Sequence, residues 1–246
     1  MAKPKDIDRI LKDWPHVPGE VQARLFKATG GREVVQMRVE MGLLQMEVDH
    51  RPDGTRPHDE DTYFKYLKKQ AATADGDFIL SDEQCNESDR EFVQFYHRRI
   101  CWLALREFAR AVLDADHTLT MMDFAKKHSP DEEWTLSHEQ YRPFVLFHRY
   151  QAAALARLEG DGPEGAIREI NDGLEVLRAV FVEYEAEDKY DGDELVQRLS
   201  QLKEALREHY RVGQTLDEQL AEAIATEQYE LAAKLRDEMA KKQAKH

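Results

Sequence analysis

Apolar and polar residues alternate along three stretches near the start of the chain. These are Val21-Gln22-Ala23-Arg24-Leu25-Phe26, Val35-Gln36-Met37-Arg38-Val39-Glu40-Met41 and Leu44-Gln45-Met46-Glu47-Val48. A strand turns successive side chains to opposite faces, so a period of two predicts three strands. Thr29-Gly30-Gly31, Gly42 and Arg51-Pro52-Asp53-Gly54 punctuate them and suit turns, because glycine accepts positive φ and proline fixes its own. The expectation is a small antiparallel meander. Such a sheet has one apolar face and cannot stand alone, so it should pack on the helix around Tyr63-Phe64-Lys65-Tyr66-Leu67 and on the helical mass that follows. Ahead of it, Ile7, Ile10, Leu11 and Trp14 have helical spacing until Pro15 and Pro18 stop the run.

Beyond Asp77 the period is helical, beginning at Ser81, which has capping-box spacing to Gln84. A long helix is expected from about Asp89 to Leu113, then helices over Thr118 to Lys127, Ser137 to Glu159, Pro163 to Tyr184 and Asp193 to Tyr210. Ser129-Pro130, Glu159-Gly160-Asp161-Gly162-Pro163 and Tyr190-Asp191-Gly192-Asp193 separate them, and such short links favour antiparallel neighbours. The run from Ala154 to Ile167, with Ile170, Gly173 and Leu174, resembles the middle of a tetratricopeptide (TPR) repeat, where small residues let two helices cross closely. A fainter echo in Trp102, Leu105, Ala109, Ala125 and Pro130 is out of register with a 34-residue period. The fold class that follows is mainly α (α+β): a three-stranded antiparallel sheet packed on a TPR-like antiparallel helical bundle, with a C-terminal two-helix hairpin. The corresponding division is residues 1–76, 77–212 and 213–246.

The hairpin reading rests on the residues after Thr215. Leu216, Leu220, Ala223 and Ile224 form a narrow stripe at i, i+4, i+7 and i+8. On a second helix Leu231, Leu235 and Met239 form another, with Tyr229, Ala232, Ala233 and Ala240 on a neighbouring arc of roughly 100°. That arc is wider than one helical partner covers, and isolated helices of about 12 residues are barely stable in water, so the pair needs a further surface. The uninterrupted run Tyr229-Glu230-Leu231-Ala232-Ala233-Lys234-Leu235-Arg236-Asp237 resembles the UVR (UvrB/UvrC) motif, with its aromatic-Glu-x-Ala-Ala-x-Leu-Arg-Asp signature. The resemblance implies a helical hairpin that pairs with another such hairpin or with a different protein. Leu216, Leu220, Ile224, Tyr229, Ala232, Leu235, Arg236, Asp237 and Met239 are then the expected partner-binding residues, with Arg236 and Asp237 as an exposed ion-pairing couple at the rim. The competing reading, from the residues alone, is that the hairpin is the last piece of the bundle.

Composition narrows the picture further. The formal net charge of -14 opposes non-specific attraction to phosphate backbones or anionic lipid. No eighteen apolar residues run together, so the expectation is a cytoplasmic protein with no membrane partner, and the acidic charge disfavours nucleic acid as one. The two cysteines, Cys85 and Cys101, lack the spacing of a zinc ribbon or a CxxC pair, and are expected as reduced thiols. No GxxxxGK[ST] phosphate loop accompanies the motif, so the helicase or nuclease activity of excision proteins is not supported; without cysteine pairs, neither is a zinc-dependent regulator. No cofactor is expected and no catalytic motif is found.

Two rival readings stay open. His97, Arg98, Arg99, Asp114, His117, His138, Glu139, His148 and Arg149 are polar residues in otherwise apolar helices and could make an enzymatic or metal-binding bundle. Asp114 and His117 have the i, i+3 spacing of a carboxylate-x-x-His ligand pair, although the helical stretches hold no second pair; the plainer alternative puts them at a helix end, with Asp116 or Thr118 capping the next helix. Arg99, Arg106 and Arg110, at i, i+7 and i+11, would line a groove for an acidic peptide or anion unless carboxylates such as Glu107, Glu132 and Glu133 neutralise them. A DNA-repair accessory role is the other alternative.

Overall fold

A computed structural model describes residues 6–243, with side chains through residue 240; the first five residues and the tail 244–246 lie outside them. The chain is mainly helical, and its contacts gather into two compact units, residues 1–152 and 153–246. The boundary falls inside a continuous helix, whereas the sequence division at 76/77 and 212/213 follows turn residues. No helix among the described residues is long and apolar enough to cross a membrane.

The first unit opens with the short helix α1 (Asp8–Asp13) and the strands β1 (Gln22–Lys27), β2 (Glu33–Val39) and β3 (Gly42–Glu47). They form the expected antiparallel meander in the order β1-β2-β3. Cross-strand partners place Leu25, Val35 and Met46 in one row, and Arg24, Gln36 and Gln45 in the next row on the opposite face. The polar row is bonded throughout: Arg24 Nε donates to Gln36 Oε1 at 2.8 Å and Gln36 Nε2 to Gln45 Oε1 at 2.9 Å. Trp14 caps that face, with the Arg24 guanidinium 4.2 Å from its ring centroid and its carbonyl accepting from Arg38 Nε.

Helices α2 (Tyr63–Thr73), α3 (Asp82–Ala104), α4 (Phe108–His128) and α5 (Glu132–Glu139) follow, then the start of α6 (Arg142–Gly160). The principal helical neighbour of β1 and β2 is α3, while α2 packs on α3. Phe64 joins Phe92, Ala115, Met121, Met122 and Val145 in one apolar cluster; Tyr63 and Leu67 join Leu80 and Cys85 in another. The capping box expected at Ser81 and Gln84 is present.

Two predicted helices are interrupted. The stretch expected as one helix from Asp89 to Leu113 breaks at Arg106, whose φ is 61°, where the N–H of Glu107 returns to the carbonyl of Trp102 and that of Arg106 to Leu103. This is a Schellman turn with arginine where glycine is usual. The stretch expected from Ser137 to Glu159 is divided between α5 and α6, because Pro143 lacks the N–H that an unbroken helix needs. Helix α5 itself starts earlier, at Glu132, where the Asp131 carboxylate accepts the Trp134 N–H.

The second unit holds the end of α6, then α7 (Gly162–Glu183), a 3₁₀ turn at Glu187–Gly192, α8 (Glu194–Tyr210), α9 (Leu216–Ala225) and α10 (Tyr229–Gln243). Ile167, Ile170, Leu177 and Leu199 are fully buried where α7 meets α8. Tyr190 closes the intervening turn through a hydrogen bond from its hydroxyl to the Leu174 carbonyl.

Candidate functional site

The C-terminal hairpin is aimed by the end of α8. Arg211 adopts φ 55° and turns the chain, while Val212 N–H returns to the Arg207 carbonyl. Thr215 then starts α9 with a capping box: its hydroxyl accepts the Glu218 N–H at 3.3 Å, and the Glu218 carboxylate accepts the Thr215 N–H at 2.8 Å. The box fixes Glu218 in the first turn, where it also accepts from Asn171 at 3.0 Å and from the Arg207 guanidinium. Beside it Asp217 accepts from Arg168 Nε at 2.9 Å, and Lys203 donates to Asn171 Oδ1 at 3.2 Å. Burial pushes the Glu218 carboxyl up, but hydrogen bonds from Thr215, Asn171 and Arg207 outweigh it and hold the group below its ordinary range. A groove of about 820 Å³ runs alongside, lined by residues such as Asn171, Tyr190, Lys203, Asp217 and Ala221.

The hairpin's apolar closure lies within itself. Ala223 of α9 packs with Ala232 and Leu235 of α10, all three buried, and Leu216 and Leu220 flank them half-buried. The α10 seam therefore runs through Ala232 and Leu235, with Met239 half-buried one turn on, and Leu231 falls off it at 44% exposed. Ile224 is 44% and Tyr229 68% exposed, so with Leu231 three large apolar side chains stay exposed on either side of the turn that joins the two helices. Arg236 and Asp237 are exposed, but neither forms an ion pair among the described residues. Consecutive helical positions do not face each other, so the couple expected from the sequence does not form.

The arginines expected along one groove are distributed by the break at Arg106. Arg99 is 1% exposed and donates to Thr118 Oγ1 at 3.0 Å, with His148 Nδ1 at 3.4 Å from its Nε. Arg106 sits in the α3–α4 turn, its guanidinium 5.7 Å from the centroid of the Phe108 ring. Arg110, on α4, pairs with Glu33 of β2 and with Glu107. The three do not share a helix face.

Asp114 and His117 lie inside α4, because the helix end expected after Leu113 is displaced to Arg106. Asp114 is buried and receives Arg98 in a fork, Nε to Oδ2 at 2.9 Å and Nη2 to Oδ1 at 2.6 Å. Arg98 Nη1 donates to the carbonyls of Glu47 at 3.0 Å and His50 at 2.8 Å, which ties the end of the sheet to the helices. His117 stacks on Phe95 at 3.7 Å and places Nε2 3.1 Å from Glu91 Oε1. The fully buried Glu91 carboxylate also accepts the Tyr63 and Phe64 N–H groups at the start of α2. Asp114 and His117 thus serve different partners, and no three His, Cys, Asp or Glu side chains converge as metal ligands among the described residues.

The other mid-chain polar residues are bound locally. His138 contacts Asp89, Glu139 contacts Arg142, and Arg149 contacts Asp116. Sequence reasoning missed Arg168, Asn171 and Arg207 as the hairpin's anchors, and it missed the Thr215–Glu218 capping-box spacing, the one local signal that marks that junction.

The family model of the UvrB/uvrC motif matches residues 214–245, the segment that forms α9 and α10. No curated protein and no solved structure is significantly similar to the chain.

Proposed function

We propose that this chain is a protein-protein interaction or adaptor protein that recruits a partner, or a second copy of itself, through its C-terminal hairpin. The observation that carries the reading is the exposure of Ile224, Tyr229 and Leu231 on a hairpin whose own core is already closed by Ala223, Ala232 and Leu235. Tyrosine and branched aliphatic side chains of this kind supply buried area at an interface with little conformational entropy to lose. Ala232 and Leu235 act from within, holding the two helices at the separation that presents those three side chains. Leu216, Leu220 and Met239 support that seam, and Arg236 and Asp237 add an exposed polar rim. The match to the UvrB/uvrC motif supports the same reading, since it coincides with the hairpin.

Sedimentation velocity over a range of concentrations, together with pull-downs, tests the proposal. Three proteins are compared: the full chain, the chain ending at Val212, and the full chain carrying Ile224→Asp and Leu231→Asp. Self-association or specific partners present in the first and absent from the other two support it. Identical behaviour of all three reduces the hairpin to a structural cap.

A further inference from the structure

The segment between β3 and α2 holds three non-glycine residues in the left-handed region: His50 at φ 57°, His58 at 50° and Asp59 at 63°. Strain of this kind persists where surrounding contacts over-determine the backbone, and it concentrates at binding sites. The buried Arg51 supplies that constraint through Glu87 and Glu91 on α3. One result is that the His58 ring lies parallel to Tyr66, with centroids 3.8 Å apart, and Tyr63 stands tilted 5.6 Å from Tyr66. Together with Glu83 and Glu87 from the first turns of α3, these three rings line a pocket of about 420 Å³.

Three features of this pocket point to a ligand. Tyr63 is 5% exposed as a whole residue, and its hydroxyl, which forms no hydrogen bond among the described residues, is open to solvent rather than sealed in. Glu83 forms no ion pair among them either, whereas Glu87 is held by Arg51 and Arg90. The faces of aromatic rings and a free carboxylate attract the same kind of group, a cation. Burial, and after it the neighbouring Tyr66, Glu87 and Glu83, push the Tyr63 phenol up to about 12, as expected of a hydroxyl in a negative field.

We propose that this pocket binds the ammonium or guanidinium end of an aliphatic cation, with Glu83 as counter-ion, the Tyr63 hydroxyl as acceptor and the His58 and Tyr66 rings against the charged head. An inorganic cation would leave the rings unused, and the volume accommodates an aliphatic stem behind the charge. The same head group occurs on a basic side chain of another polypeptide and on a free amine. The proposal stands independently of the hairpin.

The test is an NMR titration of the full chain, following the amides of Tyr66 and Glu83. The probes are N-acetyl-arginine methylamide, N-acetyl-lysine methylamide, agmatine and the neutral N-acetyl-citrulline methylamide. Saturable shifts are expected with the cations and not with citrulline, weakened at least tenfold by Glu83→Gln and by Tyr63→Phe. Both variants keep the size of the side chain, and their spectra away from the pocket report that the fold is intact. Tighter binding of the capped amino acids identifies a polypeptide side chain as the ligand, and tighter binding of agmatine a free amine. Absence of saturation with every cation, equal binding of citrulline, or undiminished binding by Glu83→Gln would overturn the proposal.

Discussion

Replacing Asp114 with alanine removes the carboxylate that receives both arms of the Arg98 fork and leaves the guanidinium about as buried as before, at 4% exposed. Removing one partner of a buried ion pair costs about 3–5 kcal/mol, because the remaining charge has neither water nor counter-ion. Two of the Arg98 hydrogen bonds, to the carbonyls of Glu47 and His50, survive the substitution and favour the lower half of that range. Arg98→Met costs a similar amount because it strands the buried Asp114 carboxylate, while the Glu47 and His50 carbonyls, on half-buried and exposed residues, lose a donor. The combination Arg98→Met with Asp114→Leu removes both charges of the pair, so its loss should fall at least about 2 kcal/mol short of the sum of the two single losses. All three tryptophans, Trp14, Trp102 and Trp134, lie in the first unit, so urea unfolding followed by tryptophan fluorescence reports on that unit. With an m-value of about 1–3 kcal/mol/M, Asp114→Ala should lower the midpoint by roughly 1–4 M. A loss below about 1 kcal/mol, or strict additivity in the double-mutant cycle, would refute the view that this pair anchors the sheet to the helices.

Other predictions concern the hairpin and the thiols. The Glu218 carboxyl is held below its ordinary value of 4.5, so its contribution to hairpin docking is complete above that pH and is lost as the pH falls through the lowered value. Amide exchange in α9 and α10, compared between the wild type and Glu218→Gln, should show protection that declines on acidification in the first and little in the second; equal pH profiles would contradict the assignment. Glu227, which follows α9 at φ 58°, should accept glycine with a gain centred at about 0.75 and at most about 1.5 kcal/mol, since left-handed backbone costs a side-chain-bearing residue about 1–2 and glycine's extra freedom takes back about 0.5–1. Protection of the hairpin amides should rise about fourfold and at most about 13-fold, and faster exchange would exclude the mechanism. Burial pushes the Cys85 thiol up to about 11 and Cys101 to about 12, against an ordinary 9.0. Ionisation alone should then slow alkylation of Cys85 by iodoacetamide at pH 8 by about 100-fold relative to a free cysteine, and rapid labelling would show that the site opens.

The sheet was legible because alternation and turn residues agreed, and because register follows once the turns are placed. The capping residues Ser81 and Gln84 marked a helix start for the same reason: the signal is local. The break at Arg106 carried no such mark. A Schellman turn needs only a tolerated left-handed residue, and arginine there looks like helix interior. Pro143, by contrast, was visible, and the split between α5 and α6 follows from its missing donor. The mid-chain polar cluster misled for another reason. Asp114, Glu91 and Arg99 satisfy partners 16 to 49 positions away, and sequence spacing within one helix says nothing about such pairs. The ring pocket was illegible on the same ground, since residues 57–66 meet residues 81–87 only in the folded chain. In the hairpin, spacing gave the α9 stripe, but the choice between Leu231 and Ala232 as the α10 seam depends on a rotation that the pattern left open.

The junction through Asp217 and Glu218 has a kinetic consequence. Because the hairpin carries its own apolar core and meets α7 and α8 through Arg168, Asn171 and Arg207, it can part from them without unmaking that core. The connection from Val212 to Gln214 is so short that a released hairpin still faces its home surface at an effective concentration of the order of millimolar. A visitor that needs only Ile224, Tyr229 and Leu231 meets no rival. One that needs the acidic side of α9 competes with a tethered ligand already in place, in a contest of charged contacts that salt screens on both sides.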